Sequence, residues 1–111
     1  MADLSERKCV ACEGGVPALD AQQAGQLLGM VPGWELASGA AEIQRVFEFK
    51  NFYQTMEFAN AVAFIANQEN HHPDLELGYK RCKVRYSTHA AKGLTENDFI
   101  CAAKINKLLE Q

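Results

Sequence analysis

From Cys82 to His89 the chain alternates without a break. Cys82, Val84, Tyr86 and Thr88 take one parity, and Lys83, Arg85, Ser87 and His89 take the other. Successive side chains on a strand point to opposite faces, so this run is a strand with one face turned inward. Such a strand must belong to a sheet covered on one side by another layer. Just upstream, Leu75, Leu77 and Tyr79 alternate with Glu76 and Gly78, and the short connection between the two runs predicts a hairpin. An earlier pair, "WELASG" and "EIQRVFEFK", flanks a small-residue turn near Gly39 and predicts a second hairpin, although Val46-Phe47 breaks strict alternation.

The segments around the hairpins carry a helical period. Between Phe52 and Glu69, Phe58, Val62, Ile65 and Ala66 recur at helical spacing, and so do Phe52, Met56, Ala59 and Ala63. Two overlapping stripes predict a central buried helix. Asn51 can cap it, and Pro73 stops it by about His72, because a residue before proline avoids the helical region. Asp20 and Gln23 have the spacing of a capping box for a first helix, with Ala24, Leu27, Leu28 and Val31 on one face and Pro32-Gly33 at its end. Thr95 and Asp98 have the same spacing at the start of a last helix, whose stripe is Cys101, Ile105 and Leu108. The predicted order is α-β-β-α-β-β-α, an α+β fold: a four-stranded, mainly antiparallel sheet with three helices packed on one face. The other sheet face, or its edge, is then available to a second copy. Gly14, Gly15 and Pro17 make residues 1–18 a flexible N-terminal lead-in, and residues 19–111 a single domain.

Composition narrows the function classes. With 111 residues and 12.3 kDa the chain is one domain on length alone. A net charge of −3 without a basic block lacks the footprint of a nucleic-acid binder. No apolar run approaches the roughly 20 residues of a membrane span. The opening "MADLSERKCVACEGG" lacks the apolar middle of a signal peptide, which places the expected location in the cytoplasm. Four cysteines in that compartment do not predict a disulfide framework, and Cys82 and Cys101 read as small buried hydrophobes.

All three histidines fall within "ENHHPDLELGYKRCKVRYSTH", Glu69 to His89. Three neutral imidazoles could hold a catalytic zinc. Adjacent histidines are a poor start for that, since they diverge by about 100° on a helix and point oppositely on a strand. Cys9 and Cys12 form a C-x2-C pair with no second half at finger spacing. Acid–base work suits imidazoles better, because an unperturbed ring titrates near pH 6.5. His71-His72 follow a helix and His89 ends a strand, and element ends are where sites form. Ser87 and Thr88 add hydroxyls beside His89, and Glu69 and Asp74 flank the pair. The plain alternative is three solvated surface histidines. On spacing alone Asp98 is a helix cap, Trp34 a core or pocket-wall residue, and Tyr79 and Tyr86 strand residues. No nucleophile has a partner and no phosphate loop has the required spacing, so proton transfer without a metal is the better catalytic option.

"ENHHP", then Tyr79, then Ser87-Thr88-His89, then "GLTENDF" together resemble the pterin-4a-carbinolamine dehydratases. That family's motif runs His-His-Pro, an aromatic, a histidine and an aspartate, and here His71, His72, Pro73, Tyr79, His89 and Asp98 keep each spacing. Gly33-Trp34 and the Phe49–Phe52 stretch also fit, and the resemblance covers about residues 18–109. The "CVAC" lead-in is similar to bacterial members associated with phenylalanine hydroxylase. One position departs: an acidic residue often stands four before the first histidine, and here it is Asn67. The resemblance implies an enzyme that dehydrates 4a-hydroxytetrahydropterin to quinonoid dihydropterin for an aromatic amino acid hydroxylase, without metal or cofactor. It implies His71 and His89 as an acid–base pair, each serving one face of the hydroxyl-bearing carbon, with His72 binding the pterin and assisting. Ser87, Thr88, Asp98, Trp34 and Glu69 form the expected substrate-binding set, with Asp98 also holding His89 or the local turn. A homodimer or homotetramer is expected, with no membrane and no direct nucleic-acid contact. The alternative implied is a non-catalytic dimerisation cofactor for a transcription factor, working through a helix surface.

Overall fold

A computed structural model describes residues 3–10 and 17–110. Its elements are α1 (Ala21–Leu28), β1 (Glu35–Ala37), β2 (Glu42–Glu48), α2 (Phe52–Glu69), β3 (Asp74–Leu77), β4 (Arg81–Tyr86) and α3 (Glu96–Lys107). Short 3-10 turns add Leu4–Glu6 and His89–Ala91. The four strands run β1-β2-β4-β3, and every neighbouring pair is antiparallel. The order α-β-β-α-β-β-α and the α+β class agree with the sequence reading.

Strand parity fixes which face is covered. Ile43 pairs with Tyr86, and Phe47 with Cys82, and all four are buried together with Val84. On the opposite face Gln44 pairs with Arg85 and Glu48 with Arg81, a polar surface with half-exposed Val46 among them. The buried face meets Phe58, Val62 and Ile65 of α2 and Phe99, Cys101, Ala102 and Ile105 of α3. Each predicted helix start is made as its sequence allows. The Asp20 carboxylate accepts from the Gln23 N–H at 2.8 Å, and the Gln23 amide oxygen from the Asp20 N–H at 3.0 Å. Asn51 Oδ1 accepts from the Gln54 N–H at 2.9 Å. An exchange of this kind stabilises a helix by about 1 kcal/mol.

The central helix is buried on one side only. Thr55, Phe58, Ala59, Val62, Ile65 and Ala66 are inside, but Ala63 is exposed, Phe64 is 67% exposed and Tyr53 83%. Of the two expected stripes, one faces sheet and α3. Part of the other faces outward, because no third layer covers it.

The stretch 3–10 is not a free lead-in. Leu4 is buried, and the Lys104 Nζ donates to the Ser5 carbonyl at 2.8 Å. Arg7 and Glu96 form a further ion pair across to α3. An apolar anchor, a cation of α3 (Lys104) and a cation of the segment itself (Arg7) hold it against α3, a set of long-range partners that composition does not reveal. Cys12, Gly14 and Gly15 lie outside the described residues.

Pro32-Gly33-Trp34 makes the corner between α1 and β1. Gly33 has φ of +90°, and a Cβ there would lie 2.6 Å from the Arg45 guanidinium carbon. Glycine is therefore favoured by the backbone conformation, and a larger residue would also push the Arg45 guanidinium aside. Arg45 then donates to the Pro32 carbonyl at 3.0 Å and lies 4.5 Å over the Phe47 ring.

Candidate active site

The end of α2 delivers the first two histidines. Asn70 caps the helix in the left-handed conformation, with φ of 52°. The His71 N–H then turns back to the Ala66 carbonyl at 3.0 Å, satisfying a helix-end acceptor. This turn throws His71 inward, where its ring stacks on Tyr86 of β4 at 5.2 Å between centroids. The Tyr86 hydroxyl donates to the His71 carbonyl at 3.2 Å. Strand β4 supplies the other side, for Ser87, Thr88 and His89 follow it directly.

His71, His72 and His89 line one cavity of about 530 Å³, together with Glu69, Ser87, Thr88 and Asn97. The volume lies within the range of small-molecule sites. Its histidines are held differently. The His71 Nε2–H donates to Asp98 Oδ1 at 2.5 Å, and Asp98 has no exposed surface. Asp98 Oδ2 accepts from the Thr88 hydroxyl at 2.9 Å and the Thr95 N–H at 2.9 Å. The Thr88 and Thr95 hydroxyls are 2.8 Å apart. A buried carboxylate is thus matched by donors from β4's exit, the α3 cap and the histidine, as burial of a charge demands.

The electrostatic consequence falls on His71. Burial of the ring pushes its pKa down, but the hydrogen bond and charge of Asp98 outweigh that, and the net shift is upward. A neutral ring bonded through Nε2–H carries its lone pair on Nδ1, so the carboxylate also fixes the tautomer. His72 is exposed, and its Nε2 lies 3.0 Å from Asn67 Oδ1. Asn67, at the position often acidic, therefore still orients a histidine, but without adding charge. His89 is exposed, and no described side chain holds its ring.

Several expected substrate contacts have other partners. Asp98 holds His71 rather than His89. It is shut off from the cavity because a carboxylate serving Thr88, Thr95 and His71 has its lone pairs engaged inward. The Thr88 hydroxyl faces Asp98, while Ser87 keeps its place on the cavity wall. Glu69 lines the cavity, but its Oε1 accepts from the Cys9 N–H at 2.8 Å. Trp34 does not line this cavity. It is buried between Phe47 and Tyr86, and its indole N–H donates to Asn106 Oδ1 at 2.9 Å. A buried indole needs an acceptor, and the end of α3 supplies it. Sequence reasoning missed Cys9, Val10, Asn70, Ala90 and Asn97, all of which line the cavity. Only Asn97, one residue before Asp98 in a cap region, carried a signal.

Among the described residues, no group of three or more His, Cys, Asp or Glu is arranged to hold a metal ion. No described helix is long and apolar enough to cross a membrane.

The fold recurs in known proteins. A model of the family "Pterin 4 alpha carbinolamine dehydratase" matches residues 17–108. A protein of Nitrosomonas eutropha provisionally named pterin-4-alpha-carbinolamine dehydratase is 56% identical over 108 residues, which are 96% of this chain and 94% of the relative. A Legionella pneumophila protein with the same provisional name is 56% identical, covering 96% of each chain. A crystal structure of a transcriptional coactivator/pterin dehydratase from Brucella melitensis superposes with a TM-score of 0.80 at 31% identity, over 84% of this chain and 99% of that one.

Proposed function

The chain belongs to the pterin 4 alpha carbinolamine dehydratase family, and on that premise we propose that its cavity dehydrates 4a-hydroxytetrahydropterin by histidine acid–base catalysis. The observation that carries this reading is the meeting of three imidazoles, from a helix end and a strand end, on one cavity with Asp98 buried behind His71.

The reaction asks for two proton transfers. The hydroxyl on carbon 4a leaves as water once it receives a proton. The neighbouring ring nitrogen gives up its own proton, and its electron pair forms the new carbon–nitrogen double bond of the quinonoid product. His71 is suited to the first transfer, since Asp98 favours its protonated form and holds the ring still. His89, unclamped and open to solvent, takes the proton from nitrogen and passes it to water. His72, oriented by Asn67, contacts the pterin, and Ser87 completes the polar wall. Positioned acid–base groups typically contribute 10²–10⁴-fold. Such a factor suits a substrate that already loses water on its own.

The wider setting belongs to the same proposal. The substrate is left by an aromatic amino acid hydroxylase, so this chain would return the pterin to that enzyme's cycle in the cytoplasm. The half-exposed Leu77 on the edge strand and Phe64 on α2 suit a homodimer or homotetramer, which sedimentation would distinguish. The direct test is turnover of freshly generated carbinolamine by His71→Ala, His89→Ala and the double variant. A double variant that works at the normal rate would remove the acid–base assignment. The relative described as a coactivator brings in a second reading, a non-catalytic dimerisation cofactor. Pterin binding followed by fluorescence separates the two, for a pure adaptor binds none.

A further inference from the structure

We propose that residues 3–10 form a strap that closes one side of the cavity, with Cys9 and Val10 touching the bound heterocycle. The strap is thereby a positioning element for the dehydration; this rests on the function proposed above. The strap precedes the family match, which begins at residue 17, so the fold common to the family does not require it.

Its attachments concentrate where it meets the cavity. Asn97 Oδ1 accepts from the Val10 N–H at 3.1 Å, and Asn97 Nδ2 donates to the Val10 carbonyl at 2.6 Å. One side-chain amide therefore grips both backbone groups of a single residue. The Cys9 N–H is held by Glu69, as described, and the Cys9 Sγ lies 3.6 Å from both the Cys101 Sγ and the Asn97 carbonyl. Glu69 is itself nearly buried, with Lys104 Nζ 3.8 Å from its Oε2. Farther back, Leu4 and the contacts of Ser5 and Arg7 fasten the strap to α3. Ordering a backbone residue costs about 1–2 kcal/mol, so a segment held this fully needs many partners to offset that cost.

What these bonds present to the cavity is informative. They fix the backbone of Cys9 and Val10, yet Val10 as a residue stays 71% exposed where it lines the cavity. An apolar residue pinned by its backbone and exposed at a cavity lined by three imidazoles is placed to cover the face of a flat ring. It offers no proton to give or take, so it binds ground state and transition state alike. Loss of such a contact raises KM and leaves kcat in place.

The test compares the full chain with Val10→Gly, Val10→Ile and a deletion of residues 1–10, using generated carbinolamine. Val10 is exposed, so Val10→Gly keeps the core, and a thermal melt checks this. The expected result is a KM raised about tenfold in Val10→Gly and more in the deletion, with kcat within twofold and Val10→Ile near normal. An independent readout is alkylation of Cys9 in a Cys12→Ser background, which saturating 7,8-dihydropterin should slow. Unchanged KM in both truncating variants with unaltered Cys9 alkylation would overturn the strap proposal while leaving the dehydratase reading intact. A fall in kcat alone would overturn it too. A full chain that neither turns over the carbinolamine nor binds the pterin would overturn the function reading, and the strap proposal with it.

Discussion

His71 and His89 share a cavity but live in opposite environments. His71 has a side chain 12% exposed, stacked on Tyr86 and tied to a buried carboxylate. His89 starts a short 3-10 turn after β4, exposed and unclamped. The difference teaches how surroundings could divide two roles between residues of one type, as the proposed function requires. A partner that favours the charged ring makes an acid, and freedom to exchange with solvent makes a base. The sheet register makes the difference possible. It places Tyr86 on the buried face, and the chain then leaves the sheet with Thr88 turned in and His89 turned out.

The largest expected effect comes from removing the clamped ring. His71→Ala should lower kcat by about 10²–10⁴-fold, measured on generated carbinolamine. A loss below about tenfold would break the assignment of His71 as the main acid. His89→Ala should also lower kcat, by about 10²-fold at the low end of the same range, yet leave stability within about 0.5 kcal/mol, because the residue is exposed. Equal destabilisation by both histidine variants in a denaturant titration would erase the comparison.

Asp98→Asn sharpens it. The change keeps the shape and removes the charge, so it should cost about 2 kcal/mol of stability near pH 6, the scale of a hydrogen bond to a charged group. The sign with pH follows from the upward shift of His71. Stabilisation from a raised pKa is full below the unfolded value, about 6.5, and is lost as pH rises through the folded one. The penalty of Asp98→Asn should therefore shrink toward alkaline pH, and a constant penalty would mean that the ion pair contributes nothing. The smallest effect is assigned to Trp34→Phe. It loses the bond to Asn106 and about 1 kcal/mol of stability, with kcat/KM unchanged. A lowered kcat/KM would put Trp34 back in the site.

Much of this was legible in the sequence because local rules and tertiary structure agree. The alternation through Tyr86, the caps at Asp20, Asn51 and Thr95, and Pro73 after the histidines each act within a few residues of chain. The element ends that carry His71, His72 and His89 were readable too, but spacing alone left three solvated surface histidines open, and only the family resemblance implied that they share one site. What stayed hidden depends on long-range pairing. Asp98 has cap spacing whether or not a histidine stands behind it, and only the packing of α3 on the α2 exit selects His71 over His89. Trp34 looks the same in sequence as a pocket wall or a core residue, and Asn106, 72 residues away, decides between them. The outward stripe of α2 shows that periodicity counts apolar faces without saying whether the fold has a layer for each. The strap was missed because its anchors, Glu69, Asn97, Cys101 and Lys104, lie at least 60 residues downstream.

The most direct measurement is NMR of the three imidazole side chains, with and without saturating 7,8-dihydropterin. Signals of His71, His72 and His89 should all move on binding. In the free protein His71 should titrate above the ordinary histidine value, and below it in Asp98→Asn, where the carboxylate no longer opposes burial. Pterin binding that leaves the three rings undisturbed, or a His71 titration indifferent to Asp98, would contradict a single cavity worked by a carboxylate-clamped histidine.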